Sequence, residues 1–363
     1  MKKIILLAIA FCILMYGGAN AQNTSKINYK IIKTIHDNKN FNYVVISRIY
    51  KKYPNIMFLT MRGGGVTSLD ISAPSKPKIL DHWQPKQKIM SDVEGQDLIN
   101  NTLVVAGRNG FLYLLDVSDP KNIQLTKSYK VPGFDGEFSL LHDKVYEQNK
   151  RTYIAATSAL TNKLVIIEIT NNNPKLISSI KTVKGIEGIY VKKYNDRVYA
   201  IVGGFFSNSI EVLDITDPKD IKHTKTITKP YYLQMCPSTA KNSNVLYMAL
   251  WGSKCGGLAS FDIKDPANIK ELSHTCTQQS GKANRVRIEN NYAFLPLEQK
   301  ATGAFSIVDI SNPYKLKQVA IVKDIPNINK AYTLSIKGDY VYIFGTKENY
   351  LTIVKLNIAN PSE

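Results

Sequence analysis

The sequence predicts an all-β chain folded as a seven-bladed β-propeller of four-stranded antiparallel blades, and three observations carry that expectation. An apolar strand that ends in an acid and a proline-marked turn, as in Phe111 to Pro120, returns about every 47 residues. Its seven copies end at Asp70 to Pro74, Asp116 to Pro120, Glu168 with Pro174, Asp214 to Pro218, Asp262 to Pro266, Asp309 to Pro313 and Asn357 to Pro361. Each unit also holds several short β-patterned runs, and no useful window shows helical periodicity. A period in the forties with strand content in every unit marks propeller blades.

Residues 1–21 read as a secretory signal peptide. Lys2 and Lys3 give a basic start, Ile4 to Tyr16 an apolar core too short to span a bilayer, and Ala19-Asn20-Ala21 a small-residue cleavage site before Gln22. Residues 22–363 are then one propeller domain that is secreted or periplasmic. Phe11 precedes Cys12, where lipoprotein processing needs a small side chain, so lipidation there is disfavoured.

Ile27 to Ile35 resembles the run that follows the proline turn in other units, such as Ile221 to Ile227, whereas nothing of the kind follows Pro361. The N-terminal run is therefore expected to supply the outermost strand of the last blade and close the ring. Within a unit the order is clearest in the fourth: Gly188 to Val191, a turn at Asn195-Asp196, Val198 to Val202, a loop, Ile210 to Asp214, the proline turn, and an outer strand to Ile227. Asn290-Asn291 and Gly338-Asp339 are the matching turns elsewhere. The repeated acid has a structural explanation, since a carboxylate at a strand end accepts N–H groups of the following turn.

Leu112 to Pro120, Ile210 to Pro218 and Phe305 to Pro313 share the pattern apolar-x-apolar-apolar-Asp-Ile/Val-Ser/Thr-Asp/Asn-Pro. This pattern resembles the LVIVD repeat family of secreted β-propellers. The resemblance implies the propeller fold and an extracellular or envelope location, and it implies no particular activity. Two units depart from it, the third by inserting Asn171 to Asn173 and the seventh by carrying Asn357 in place of Asp.

The net charge of +18 falls to +16 once Lys2 and Lys3 are removed with the signal. Single lysines scattered through the units, without an arginine-rich cluster or basic helix, argue against nucleic-acid binding. No later stretch has the length and apolarity of a transmembrane helix. Cys236, Cys255 and Cys276 all fall in one unit, so a single disulfide is expected there and no metal site. His36, His82, His142, His223 and His274 show no catalytic or metal spacing and read as surface or turn residues. No sequence feature calls for a cofactor.

In a propeller the ligand site sits at one end of the central channel, among loops that enter the innermost strands and loops that join the second strand to the third. The repeat phase places Glu94, Glu137, Glu187, Tyr232 and Arg285 in the first set and Arg108 and Trp251 in the second. Tyr43, Tyr231, Lys330 and Tyr332 accompany the first, and Arg62, Phe205, Phe206 and Glu298 the second. Tyr232 and Trp251 are the expected platforms for a sugar face or other flat ligand, with Arg108 and Arg285 holding an anionic group. The expected function is a binding or interaction module for a polysaccharide or an envelope protein. One alternative is a carbohydrate-active or small-molecule enzyme using Glu94, Glu137 or Glu187 as acid and base. The other is a non-catalytic scaffold.

Overall fold

The computed structural model describes residues 27–85, 92–232, 236–238, 243–251, 256–276, 282–298, 303–325, 328, 330–345 and 349–357. Its strands form seven antiparallel sheets, each built from strands consecutive in the chain except for one strand of the last. The first blade is Val44–Ile49, Ile56–Met61, Gly65–Asp70 and Lys78–Trp83. The fourth is Ile186–Tyr194, Arg197–Gly204, Ser209–Asp214 and Lys222–Thr228, with Asn195 at φ 53° in the first hairpin. Asn290 and Gly338 turn the same hairpin in the sixth and seventh blades at φ 52° and 55°. In the sixth the innermost strand is split into Lys282–Ala283 and Arg287–Glu289, both paired with Tyr292–Glu298.

The two middle strands of each blade are apolar on both faces because a neighbouring blade covers each face. Seven apolar clusters result, one at every blade junction. The junction of the last blade with the first packs Tyr342, Phe344, Leu351 and Ile353 against Phe41, Val44, Met57 and Leu59. The outer strands Gln124–Lys130, Lys222–Thr228 and Lys270–Cys276 carry lysines at their exposed positions, which is where part of the basic surface comes from.

The repeated motif has a mechanical reading. The carboxylates of Asp70, Asp116, Asp214, Asp262 and Asp309 each accept the backbone N–H two residues on, at 2.8–2.9 Å. The next residue, Ile71, Val117, Ile215, Ile263 or Ile310, is buried in a junction core. The acid thus holds the turn while its neighbour plugs the junction. In the third blade Asn171 and Asn172, at φ 48° and 59°, make a two-residue hairpin turn instead. Pro174 moves onto the outer strand Asn173–Lys181, an edge position where its missing N–H costs nothing.

Asn28–His36 pairs antiparallel with Tyr350–Asn357, from Asn28 opposite Asn357 to His36 opposite Tyr350, and is the outermost strand of the last blade. The ring is closed by pairing between the two ends of the chain. Cys276 is disulfide-bonded. The signal segment, Cys12, Cys255 and the Cys236 side chain lie outside the described residues.

Removing residues 27–36 strips the last blade of an edge strand and takes away Ile31, Ile32 and Ile35, which cover the adjoining cores. The truncated protein is expected to melt roughly 10 °C or more below the full chain, or without a cooperative transition, by differential scanning calorimetry. An unchanged midpoint would remove the closure argument.

Candidate functional site

The innermost strands of the first, second, fourth and seventh blades begin with the same irregularity. Their register with the second strand skips one residue, namely Val45, Glu94, Glu187 and Tyr332. A bulge of this kind re-aims a side chain, and here it turns Glu94, Glu187 and Tyr332 to one mouth of the channel. Gly95 makes the second bulge possible, because a Cβ there would lie 2.2 Å from the Asp143 carboxylate and 2.7 Å from the Leu141 carbonyl.

Beneath this mouth Glu94, 1% exposed, is surrounded by guanidinium groups from three blades. Arg62 donates to its Oε1 at 2.6 Å, Arg108 Nε lies 3.5 Å from Oε2, and an Arg285 nitrogen lies 3.9 Å from Oε1. Arg62 also donates to the hydroxyls of Tyr332 at 3.0 Å and Tyr43 at 3.2 Å, with its guanidinium 5.4 and 5.1 Å from those ring centroids. Burial works against the Arg62 charge, but Glu94 and the two phenols more than offset it and hold the guanidinium firmly protonated. Arg108 covers the Phe138 ring at 3.8 Å and reaches Asp92 at 3.5 Å. Burial, opposed by Arg108, raises the Asp92 carboxyl.

Arg285 contacts His142 Nε2 at 3.3 Å. A guanidinium can only donate, so Nε2 is the acceptor and the imidazole is neutral with its proton on Nδ1. Burial and then the Arg285 charge push the His142 pKa well below 6.5. His142 is therefore a buried channel residue, contrary to the surface or turn role that its spacing suggested. Its only sequence signal was position, just ahead of the innermost strand Asp143–Gln148.

Above the arginines opens a cavity of about 540 Å³. One wall is formed by Tyr43, Arg62, Asn284 and Tyr332, and the opposite one by Phe138, Leu160, Phe205, Phe206 and Trp251. Trp251 donates its indole N–H to Glu298 at 3.1 Å and is covered by Lys282 Nζ at 3.5 Å from the ring centroid. Ala159, Asn162, Lys184, Glu187 and Glu298 complete the lining.

Of the residues the repeat phase selected, Glu94, Arg108 and Arg285 meet beneath this cavity, and Glu187 and Trp251 line it. Glu137 does not: it is exposed in the loop before the third blade, and His142 and Asp143 occupy the strand entry. Gly136-Glu137 imitates Glu94-Gly95 and Glu187-Gly188 with the order reversed, which shifts the apparent phase. Tyr232 does not either. It is fully buried in the junction core of the fourth and fifth blades, against Phe261, with its hydroxyl bonded to Glu271. Phe205 and Phe206 are the aromatic rings that stand beside Trp251 in the cavity. Among the described residues no group of His, Cys, Asp and Glu could hold a metal ion, and no helix is long and apolar enough to cross a membrane.

The LVIVD repeat family model matches residues 100–131, 280–324 and 329–363, which fall on the second, sixth and seventh blades. The chain carries LVIVD repeats in these three segments. No functionally curated protein matches it. The matched segments contain the Asp116, Asp309 and Asn357 copies of the motif, and also Arg108, Asn284, Arg285 and Tyr332 of the channel mouth.

Two outcomes follow from this geometry. Glu94→Gln removes the buried partner of three guanidinium groups and is expected to cost about 3–5 kcal/mol in urea unfolding, because the charges left behind stay buried. His142 is neutral in the folded state and takes up a proton in the unfolded state below about pH 6.5, so its contribution is present above that pH and lost as the pH falls. The stability cost of His142→Gln, measured against pH, should therefore shrink by up to about 1.4 kcal/mol per pH unit below 6.5. A cost independent of pH would show that the imidazole titrates alike in the folded and unfolded states and is not held neutral by the fold.

Proposed function

We propose that this protein is an exported binding module that takes an organic anion at the arginine-floored mouth of its channel. The observation that supports the reading is the convergence of three guanidinium groups, those of Arg62, Arg108 and Arg285, on one buried acid, Glu94, beside the cavity. A cluster of three guanidinium groups favours an anionic oxygen brought beside it, and the planar guanidinium is suited to a carboxylate or phosphoryl group. The cavity volume falls within the range of roughly 300–1,000 Å³ typical of small-molecule sites. The aromatic wall supplies the apolar face that an anion with a flat or hydrocarbon body requires. An acidic sugar of an envelope polysaccharide is one ligand with both features. Export rests on the basic, apolar and small-residue pattern of residues 1–21.

Glu94 is engaged by arginine and Glu137 lies off the cavity, so two of the three carboxylates that an acid–base enzyme would draw on are not placed for that work. Binding is therefore the reading to test first.

Trp251 is one of two tryptophans in the chain, and Trp83→Phe leaves it as the only indole, reporting from inside the cavity. Its fluorescence should respond to titration with galacturonate or with aromatic and alkyl carboxylates. Arg62→Ala should weaken the responding ligand roughly 10- to 100-fold, the loss of one or two charge-assisted hydrogen bonds. A correctly folded Arg62→Ala protein with unchanged affinity, or no response to any anion, would reject the proposal.

A further inference from the structure

We infer that the ligand of this mouth is an amphiphilic carboxylate, a single anionic head on a hydrocarbon body, free in solution and not part of a sugar or a membrane. The inference rests on the reading of the mouth as an organic-anion site, and two independent features of the cavity sharpen it.

The first is the distribution of exposed apolar side chains. Among the described residues the large exposed hydrophobics are Tyr29, Ile79, Leu125, Phe138, Leu160, Phe206 and Tyr314. Three of the seven, Phe138 at 38%, Leu160 at 50% and Phe206 at 63% exposure, stand together on the rim of this one cavity. Two groups make up this lining: Phe138 and Leu160, joined by the Leu160 N–H donating to the Phe138 carbonyl at 3.2 Å, and Phe206 packed on Phe205 at 4.5 Å, which lies 5.1 Å from Trp251. Phenylalanine and leucine side chains offer no hydrogen-bonding group. A sugar laid on such a wall would give up water at its ring hydroxyls and gain little in exchange, whereas a hydrocarbon body gains from every contact. Exposed apolar surface gathered at a cavity in this way marks a binding site.

The second is the donor character of the opposite wall. Arg62 can only donate. The hydroxyls of Tyr43 and Tyr332 accept from Arg62, and each keeps its own O–H to donate. Burial raises the Tyr332 pKa, so that proton stays in place. Asn284, 1% exposed, lines the cavity with a side-chain amide nitrogen that has no hydrogen-bond partner. Four donor-bearing side chains thus line one cavity, which suits a group that only accepts, as an ionised carboxylate does. Glu298 on the facing wall already accepts the Trp251 N–H. The arginine floor supplies the charge complement, with Arg108 against the Phe138 ring of the apolar lining.

The test is calorimetric titration of the full mature chain with hexanoate, octanoate and decanoate below their micelle-forming concentrations, beside glucuronate and decylamine. The dissociation constant is expected to tighten roughly fourfold for each methylene buried on the wall, the equivalent of about 0.8 kcal/mol. Decylamine, with the same chain and the opposite charge, should bind roughly tenfold or more weakly than decanoate, since it would bring a cation to the arginine floor. Phe206→Ala changes an exposed side chain and should keep the fold while weakening decanoate roughly tenfold. Binding of glucuronate without chain-length dependence among the alkyl acids would overturn this inference and leave the organic-anion reading standing. Equal affinity for decanoate and decylamine would also overturn it, as would binding to phosphatidylglycerol vesicles without binding to monomeric decanoate. If no anion binds, the wider reading falls and takes this one with it.

Discussion

A four-stranded sheet with two apolar faces is stable in water only if both faces are covered, and that requirement governs the whole molecule. In a ring every blade has two neighbours, so the requirement is met everywhere only if the last blade reaches the first. Strand Asn28–His36 completes the last blade, and the junction of Phe344 and Ile353 with Phe41 and Met57 joins the chain ends. The channel mouth depends on the same closure. Arg62 and the Tyr332 hydroxyl, separated by 270 residues in sequence, are hydrogen-bonded because the first and last blades are neighbours.

The junction cores are apolar, and ion pairs between blades lie along the channel: Arg48 and Lys144 meet Asp97, and the mouth holds a second set. Here a carboxylate and three guanidinium groups are withdrawn from water within 4 Å of one another. Buried ion pairs of this kind rarely out-stabilise well-packed hydrocarbon, because the cost of desolvation offsets most of the Coulombic gain. At this mouth they coincide with a neutral buried imidazole and with the bulges of the innermost strands, the combination of perturbed groups and re-aimed side chains on which the proposed anion site rests.

Much of this was legible before any coordinates, and the exceptions are instructive. The phase of the repeat brought Glu94, Arg108, Glu187, Trp251 and Arg285 to one mouth, because equivalent positions of a repeat occupy equivalent places in a ring. It failed where the local chain departs from the repeat. Before the third blade the insertion containing Glu137 displaces the strand start to Asp143, so His142 takes the inward place. Between the fourth and fifth blades Tyr232 turns into the junction core, where its ring gains full burial and its hydroxyl a carboxylate partner. Both positions lie in connecting segments, where no periodicity constrains which way a side chain faces.

The sequence alone determined the number of blades, their strand order, the turn-holding role of the repeated acid and the identity of the closing strand. These are properties of local pattern repeated at fixed spacing, and hydrophobic burial leaves such a pattern few other solutions. Only the tertiary structure decided that three arginines share Glu94, that Phe138, Leu160 and Phe206 line one cavity, and that Asn284 faces the cavity without a partner. Those facts depend on distances between side chains from different blades. They arise when the ring closes, and no single repeat contains them.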